Sequence, residues 1–395
     1  MVIGHPLTCE GKRTDLKGST ACMEEKLKLG VIFGGRSGEH EVSLMSARSV
    51  LNVLSPEKYD VTQIGITHAG SWVTGENVLA ALESGRTNDL TPVILLPEPG
   101  QNWLYAVRKT PTGQLLEPLT TLDVIFPVLH GTFGEDGTLQ GLLELADLAY
   151  IGAGVLGSSA GMDKALFKDV MRAHKVPVLE SIVVTRRQIK DHSEEVLVSA
   201  EKVSAYPIFV KPANLGSSVG VSKCRNRSDL YEGLLEAASY DRRVLIERGL
   251  SKPHEIEVSV LGNDQPQASI PGEVIPSDDF YTYNAKYFDG RSELIIPAPL
   301  PAVTIAKIQQ YAVEAFLATD CSGMARVDFL LEPDTYQIYL SEINTIPGFT
   351  QISMYPKLWE ASGLPYPALI DRLIELARER KSERDQTERQ YGRKE

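Results

Sequence analysis

The chain has 395 residues, 43% of them hydrophobic and 23% charged, and a formal net charge of −12. Single cores stop growing at roughly 250–300 residues, so two or three lobes with clefts between them are expected. No apolar run approaches the ~20 residues that span a bilayer, and the acidic balance carries no long Lys/Arg cluster. A membrane span and a nucleic-acid partner are excluded on these grounds, and a cytoplasmic protein is expected.

Residues 1–22 are polar and mixed in charge, without the apolar centre of a signal peptide, so 1–26 reads as a disordered extension. Met23 directly precedes the first patterned segment. A buried strand over Leu29 to Phe33, a Gly34-Gly35 turn and a helical pattern through Val42, Leu44, Val50 and Leu51 open an α/β domain. Val61 to Ile66 and Val124 to Leu129 read as further strands of one open parallel sheet, with residues 70–120 uninformative between them. This N-terminal domain is predicted over 27–154.

After Gly152 the character changes, and Ser158 and Ser159 read as caps of a helix carrying Met162, Leu166, Val170 and Met171. A central lobe is predicted over 155–246 and a C-terminal lobe over 247–381. Strands are expected at Ile182 to Thr185, Ile208 to Lys211, Val244 to Glu247 and Ile256 to Leu261, with helices near Asp229 to Ala238, Ala302 to Thr319 and from Pro367 to about Lys381. The stretch 276–299, rich in Pro, Asp, Tyr and Gly, reads as a lid loop, and 382–395 as a fraying tail. Cys9, Cys22, Cys224 and Cys321 show no Cys-x-x-Cys and no zinc-like spacing to His, so reduced thiols are expected.

The most informative segment runs Arg326-Val327-Asp328-Phe329, then a turn near Asp334, then a strand ending Glu342-Ile343-Asn344. Period-two alternation puts Arg326 and Asp328 on one face, Glu342 and Asn344 on one face, and the turn brings Asp328 opposite Glu342. Two carboxylates so placed repel unless a cation sits between them, and an all-oxygen donor set favours Mg²⁺. A solvated hairpin face is the competing reading.

In Phe209-Val210-Lys211-Pro212-Ala213-Asn214-Leu215-Gly216-Ser217-Ser218, a strand delivers a lysine to a Gly/Ser loop able to close over phosphates, or simply a hairpin turn. No Walker-type G-x-x-x-x-G-K-[ST] occurs, which excludes a P-loop NTPase. Gly152-Ala153-Gly154-Val155-Leu156-Gly157 fits a dinucleotide fingerprint, but it stands where the second lobe begins rather than after a first strand. His40-Glu41 lacks the second histidine of a zincin, which rejects zinc proteolysis. His130 directly follows a buried strand, at the crevice of an open sheet, as a ligand residue or a satisfied core histidine. Lys286, among Tyr281, Tyr283 and Tyr287 in the lid segment, is placed to reach an anion, although such aromatics also pack loops down.

The segments GGRSGEHEVS, HGTFGEDGTLQG, MDK, VKPANLGSSVGVSK, AKY, GMARVDF and SEINTIPGFTQISMYP occur in this order from about Leu27 to Arg380. Together they resemble the D-alanine:D-alanine ligase family, and the insert at 70–120 looks like the A-type bacterial form. The resemblance implies a three-lobed ATP-grasp fold of the α/β (α+β) class, ATP and Mg²⁺ (or Mn²⁺, two ions), two molecules of D-alanine as substrates, and a homodimer. By position, Lys164, Lys211, Ser218, Glu247, Glu255 and Lys286 match ATP-binding residues, and Asp328, Glu342 and Asn344 match metal ligands. Glu39 matches the acid that holds the first amino group, tied to Ser217 and Tyr287. Arg326 and the Gly348 N–H match the oxyanion site. His130, Lys286, Ser353 and Met354 match groups near the substrates. Leu215 departs from relatives with a polar residue there. Ligases that join D-alanine to D-lactate or D-serine are the nearest alternative, and Tyr287 favours the dipeptide. A non-catalytic nucleotide regulator would lack the full metal set, and a dinucleotide oxidoreductase would use the Gly152 fingerprint.

Overall fold

The computed structural model describes residues 25–217, 219–276, 293–350 and 352–389. The first lobe is one eight-stranded sheet built from β1 (Leu27–Gly34), β2 (Tyr59–Ile66), β3 (Trp72–Thr74), β4 (Thr91–Leu95), β5 (Trp103–Thr110), β6 (Gly113–Thr121), β7 (Val124–Val128) and β8 (Ala149–Tyr150), in the order β6-β5-β4-β3-β2-β1-β7-β8. The half β2-β1-β7-β8 is parallel. From β2 to β6 every pairing is antiparallel, so the stretch that was silent in the sequence extends the parallel sheet as a meander. Its strands hide few side chains: most of β6 is exposed, and this is why no alternation showed.

Helices α1 (His40–Val53), α2 (Val78–Glu83) and α3 (Thr138–Leu145) flank this sheet. The turn between β1 and α1 needs glycine, because Gly34 has φ +91 and a Cβ there would stand 2.2 Å from the Ile66 carbonyl oxygen. The turn therefore lies flat on the end of β2 and points α1's first residues at the crevice.

The central lobe begins with α4 (Val155–Met162) and α5 (Lys164–Ala173). Ser158 and Ser159 lie within α4 and cap nothing. The break falls at Asp163, whose carboxylate accepts from the Leu166 N–H at 2.9 Å and pairs with Arg243. An antiparallel sheet follows, β9 (Ser181–Thr185), β10 (Ile208–Pro212), β11 (Ser222–Cys224) and β12 (Arg243–Arg248), in the order β11-β10-β12-β9. It is backed by α6 (Arg186–Asp191), α7 (Ser193–Glu201) and α8 (Arg227–Tyr240).

The third lobe carries β13 (His254–Gly262), β14 (Gln267–Ala268), β15 (Gly272–Ile275), β16 (Glu293–Ile295), β17 (Gly323–Leu331) and β18 (Ile338–Asn344), in the order β16-β15-β13-β17-β18, with β14 on β13. Helix α9 (Ala302–Ala318) packs on it, and α10 (Met354–Ala361) and α11 (Tyr366–Arg384) return toward the first lobe. Leu369, Ile370, Leu373 and Ile374 of α11 join Leu29, Val31 and Phe33 of β1 in one core. The last helix thus completes the N-terminal sheet's packing. It runs past the expected fraying point at 382 because Arg384 pairs with Glu144 and lies 3.1 Å from Asp147. Cys224 and Cys321 are free and buried. Among the described residues no helix is long and apolar enough to cross a membrane.

Candidate active site

Strands β17 and β18 meet in a register that sets Asp328 opposite Glu342 and Arg326 opposite Asn344, with a bulge after Asp328. Arg326 forks onto Asp328, Nε to Oδ1 at 2.8 Å and Nη2 to Oδ2 at 2.7 Å, and its Nε is 3.0 Å from Glu257 on β13. Asn344 Nδ2 donates to Asp328 Oδ2 at 3.0 Å, which leaves its amide oxygen as the acceptor end. Lys164 Nζ is 3.2 Å from Glu342 Oε2. Two carboxylates and an amide oxygen converge, bordered by cationic side chains and without imidazole or thiolate, a donor set that suits Mg²⁺ or Mn²⁺.

Lys164 opens α5. Its backbone N–H donates to the Ala213 carbonyl and its ammonium to the Leu215 carbonyl, both at 2.8 Å, which ties the helix to the Gly/Ser loop after β10. Lys211, on β10, reaches Glu247 on the neighbouring β12 at 2.7 Å. The other oxygen of Glu247 pairs with Lys168. Burial pushes the Glu247 carboxyl up, but Lys168 and Lys211 outweigh it and hold it down at about 2. Burial lowers Lys211 as well, and the Glu247, Glu342 and Glu255 carboxylates more than restore it, so its pKa is raised. A fixed ammonium therefore stands between the acidic pair on the C-terminal sheet and the central sheet.

On the other side of the cleft, Glu39 sits at the start of α1 and is 7% exposed. The Gly/Ser loop lies against it: a Cβ at Gly216 would be 2.8 Å from Glu39 Oε1, so only glycine passes here. Ser217, next along, holds the left-handed φ of 51°, uncommon for a residue with a side chain and concentrated at functional sites. His130 is buried between lobes. Its Nδ1 is 3.1 Å from the Ile346 carbonyl, which can only accept, so Nδ1 carries the proton and Nε2 accepts from the Ser46 hydroxyl at 2.9 Å. Burial takes its pKa down to about 4, so the ring is neutral. Ser46 Oγ also accepts from the Phe349 N–H at 3.3 Å. Glu135 accepts from Gly131 N–H at 2.7 Å and Ile346 N–H at 3.2 Å. Burial and the nearby Glu39 carboxylate push it up to about 8 against those two donors. The segment 346–349, with Gly348 in it, is held from the first lobe at both ends.

Glu39, His130, Lys164 and Ser217 thus share one narrow cleft with Arg326, Glu342, Asn344 and Gly348. Ser353 lies just behind Gly348, where a Cβ on that glycine would be 2.8 Å from its hydroxyl. Met354 departs from expectation: its side chain packs with Val274 and Leu358, because it begins the buried face of α10. Glu247 is occupied by two lysines. Ser218, Lys286 and Tyr287, and with them Tyr281 and Tyr283, lie outside the described residues. The Gly152–Gly157 fingerprint lies between the edge strand β8 and α4, with Gly154 at the N-cap, but the next strand, β9, belongs to the central sheet, so no βαβ unit forms there. Sequence reasoning passed over Lys168, Glu135, Ser46 and Glu257. Lys168 stands four residues after Lys164 on α5, a spacing that puts both ammonium groups on one helix face. The other three carried no local signal.

Three lobes of this topology, with lysines from the helix and sheet of the central lobe facing carboxylates of the C-terminal sheet, define an ATP-grasp enzyme. Family models described as the D-ala D-ala ligase N-terminus and C-terminus match residues 28–153 and 170–375, and the chain belongs to the D-alanine–D-alanine ligase family, whose members use ATP. The D-alanine–D-alanine ligase of Natranaerobius thermophilus is 48% identical over 93% of this chain and 99% of that protein. The structure of the Coxiella burnetii D-alanine–D-alanine ligase superposes with a TM-score of 0.77 at 37% identity, covering 91% of this chain and 96% of that one. The crystal structure of the VanG D-Ala:D-Ser ligase from Enterococcus faecalis gives 0.78 at 32% identity, covering 89% and 100%.

Proposed function

We propose that this chain joins two molecules of D-alanine into D-alanyl-D-alanine at the expense of ATP, for assembly of peptidoglycan precursors. The observation that carries the reading is the shared cleft of Glu39, Arg326 and Gly348 with Lys164, Glu342 and Asn344. It sets an acid for an amino group beside donors for an oxyanion and beside charges for phosphates. The 48%-identical D-alanine–D-alanine ligases support D-alanine at both positions, and the D-Ala:D-Ser ligase stands further off at 32% identity.

Amide formation from a carboxylate stalls in water because hydroxide leaves poorly. ATP supplies the activation: its γ-phosphoryl moves to the first carboxylate, ADP leaves, the second amine attacks the acyl carbon, and inorganic phosphate departs. Glu39 holds and orients the first ammonium. Lys164 and Lys211 neutralise phosphate oxygens and Glu255 takes the nucleotide's hydroxyls, with Ser218 and Lys286 assigned to the same nucleotide by the family motifs. Glu247 acts through Lys168 and Lys211, holding both side chains in place and favouring the charged form of Lys211. Asp328, Glu342 and Asn344 would hold Mg²⁺ or Mn²⁺, which when bound spreads the triphosphate's charge. Arg326 and the Gly348 N–H donate to the oxyanion of the tetrahedral intermediate. Neutral His130 orients segment 346–349, Ser353 stands behind Gly348, and Ser217 belongs to the Gly/Ser loop that lies against Glu39, with Tyr287 its partner by the family motif; keeping water out of this cleft protects the acyl phosphate from hydrolysis. Reliance on ATP fits a cytoplasmic enzyme, and a homodimer belongs to the same reading.

Phosphate release from ATP is expected with D-alanine alone, in the presence of Mg²⁺, with D-alanyl-D-alanine as product. Release only when D-lactate or D-serine accompanies D-alanine would move the chain to the depsipeptide or D-serine ligases. Release with L-alanine and none with D-alanine would end the proposal.

A further inference from the structure

His40 and His68 come from different elements and stack, ring centroids 3.7 Å apart at 24°. His40 is the first residue of α1 and is 2% exposed. His68 sits in the turn after β2, where the Gly70 N–H donates to the Thr67 carbonyl at 2.8 Å. Glu41, next to His40 on α1, places Oε1 3.4 Å from His68 Nε2. One ligand atom from each of the three lies within 4.8 Å of the others.

We propose that His40, Glu41 and His68 form a second metal site, distinct from the oxygen site on β17 and β18, for a borderline divalent cation of the Zn²⁺, Co²⁺ or Ni²⁺ type. The donor set decides the class: two imidazoles and one carboxylate suit these ions, whereas Mg²⁺ takes oxygen. The backbone selects which nitrogen of the buried ring is available. His40 Nδ1 is 2.8 Å from the Gly35 carbonyl, which can only accept. The proton is therefore on Nδ1 and the Nε2 lone pair is the coordinating one, the backbone-anchored arrangement that metal-binding histidines use. Ligands at about 2.0–2.2 Å in a tetrahedral shell stand roughly 3.4 Å from one another, and two stacked rings do not aim their lone pairs at one point, so closure asks the His68 ring to swing out of the stack. His68 and Glu41 can move, since their side chains are 70% and 58% exposed. Glu41 also offsets the positive end of α1, which alone would repel a cation. Three protein ligands leave a fourth position for water.

The test uses the full chain, stripped with a chelator and returned to excess Mg²⁺ so that the oxygen site is filled. Titration with Co²⁺ is expected to give a visible ligand-field band saturating at one ion per chain and displaced by Zn²⁺. His68→Ala and Glu41→Gln change exposed side chains and should fold normally by circular dichroism. Each is expected to weaken Co²⁺ binding at least tenfold, while Asp328→Asn leaves the band in place. Absence of a stoichiometric band, an unchanged affinity in His68→Ala, or loss of the band in Asp328→Asn would each overturn the assignment.

Discussion

Glu247, 2% exposed, holds Lys168 and Lys211 on its two oxygens. Lys168→Met leaves the Glu247–Lys211 pair in place but takes the partner from the other carboxylate oxygen, so it is expected to destabilise the chain by about 1–3 kcal/mol, the cost of a buried acceptor left unsatisfied, and to raise the KM for ATP, because Glu247 then holds Lys211 less rigidly. The pH dependence gives a sharper check. The Glu247 carboxyl stands at about 2 in the folded chain against an ordinary 4.5, so the unfolded chain binds more protons between those values. Its stabilising contribution is present above pH 4.5 and is lost as pH falls toward 2. Lys168→Met narrows that window, and calorimetric melting temperatures measured from pH 3 to pH 6 should fall less steeply on the acid side than in the parent. Equal slopes would mean that Lys168 does not set the Glu247 charge.

The segment after β18 is placed by another lobe rather than by its own sequence. Ile346 and Phe349 are gripped by His130, Glu135 and Ser46, all of them from the first lobe, and Gly348 is carried between them. Removing one hydroxyl from this clamp tests whether placement of the Gly348 N–H matters. Ser46→Ala is expected to lower kcat roughly tenfold to hundredfold, since a misplacement of about 1 Å costs on that order, with the KM for ATP nearly unchanged. Steady-state kinetics on both substrates separates the two constants, and a variant with parental kcat would show that the clamp is dispensable.

At the scale of the whole molecule the cleft is a junction of three bodies, and a nucleotide there touches elements that no single lobe contains. Ligand binding must then raise the stability of the whole. A nonhydrolysable ATP analogue with Mg²⁺ at about 100 times its Kd is expected to add about 2.7 kcal/mol, seen as a single upward shift of the thermal transition. Chelating the metal should remove most of the gain. Two separate transitions, of which only one responded, would contradict a shared site.

Much of the site was legible because it is local. Asp328, Glu342 and Asn344 follow from strand alternation and one short turn, and Lys211 with its Gly/Ser loop from one strand end, so period and turn chemistry suffice. The motifs for Glu39 and His130 were equally visible in the sequence, as was the parallel half of the first sheet. What tertiary structure alone decided is long-range pairing. The meander over 72–121 exposes too much of its surface to leave a hydrophobic period, and α11 fills a core begun more than 300 residues earlier. Lys168 meets Glu247 across a helix and a sheet, and His68 reaches His40 from the turn that closes the neighbouring parallel strand. Sequence fixes which groups can donate, accept or ionise; only the packed chain sets which of them stand within 3 or 4 Å, because that depends on burial shared among segments that carry no mark of one another.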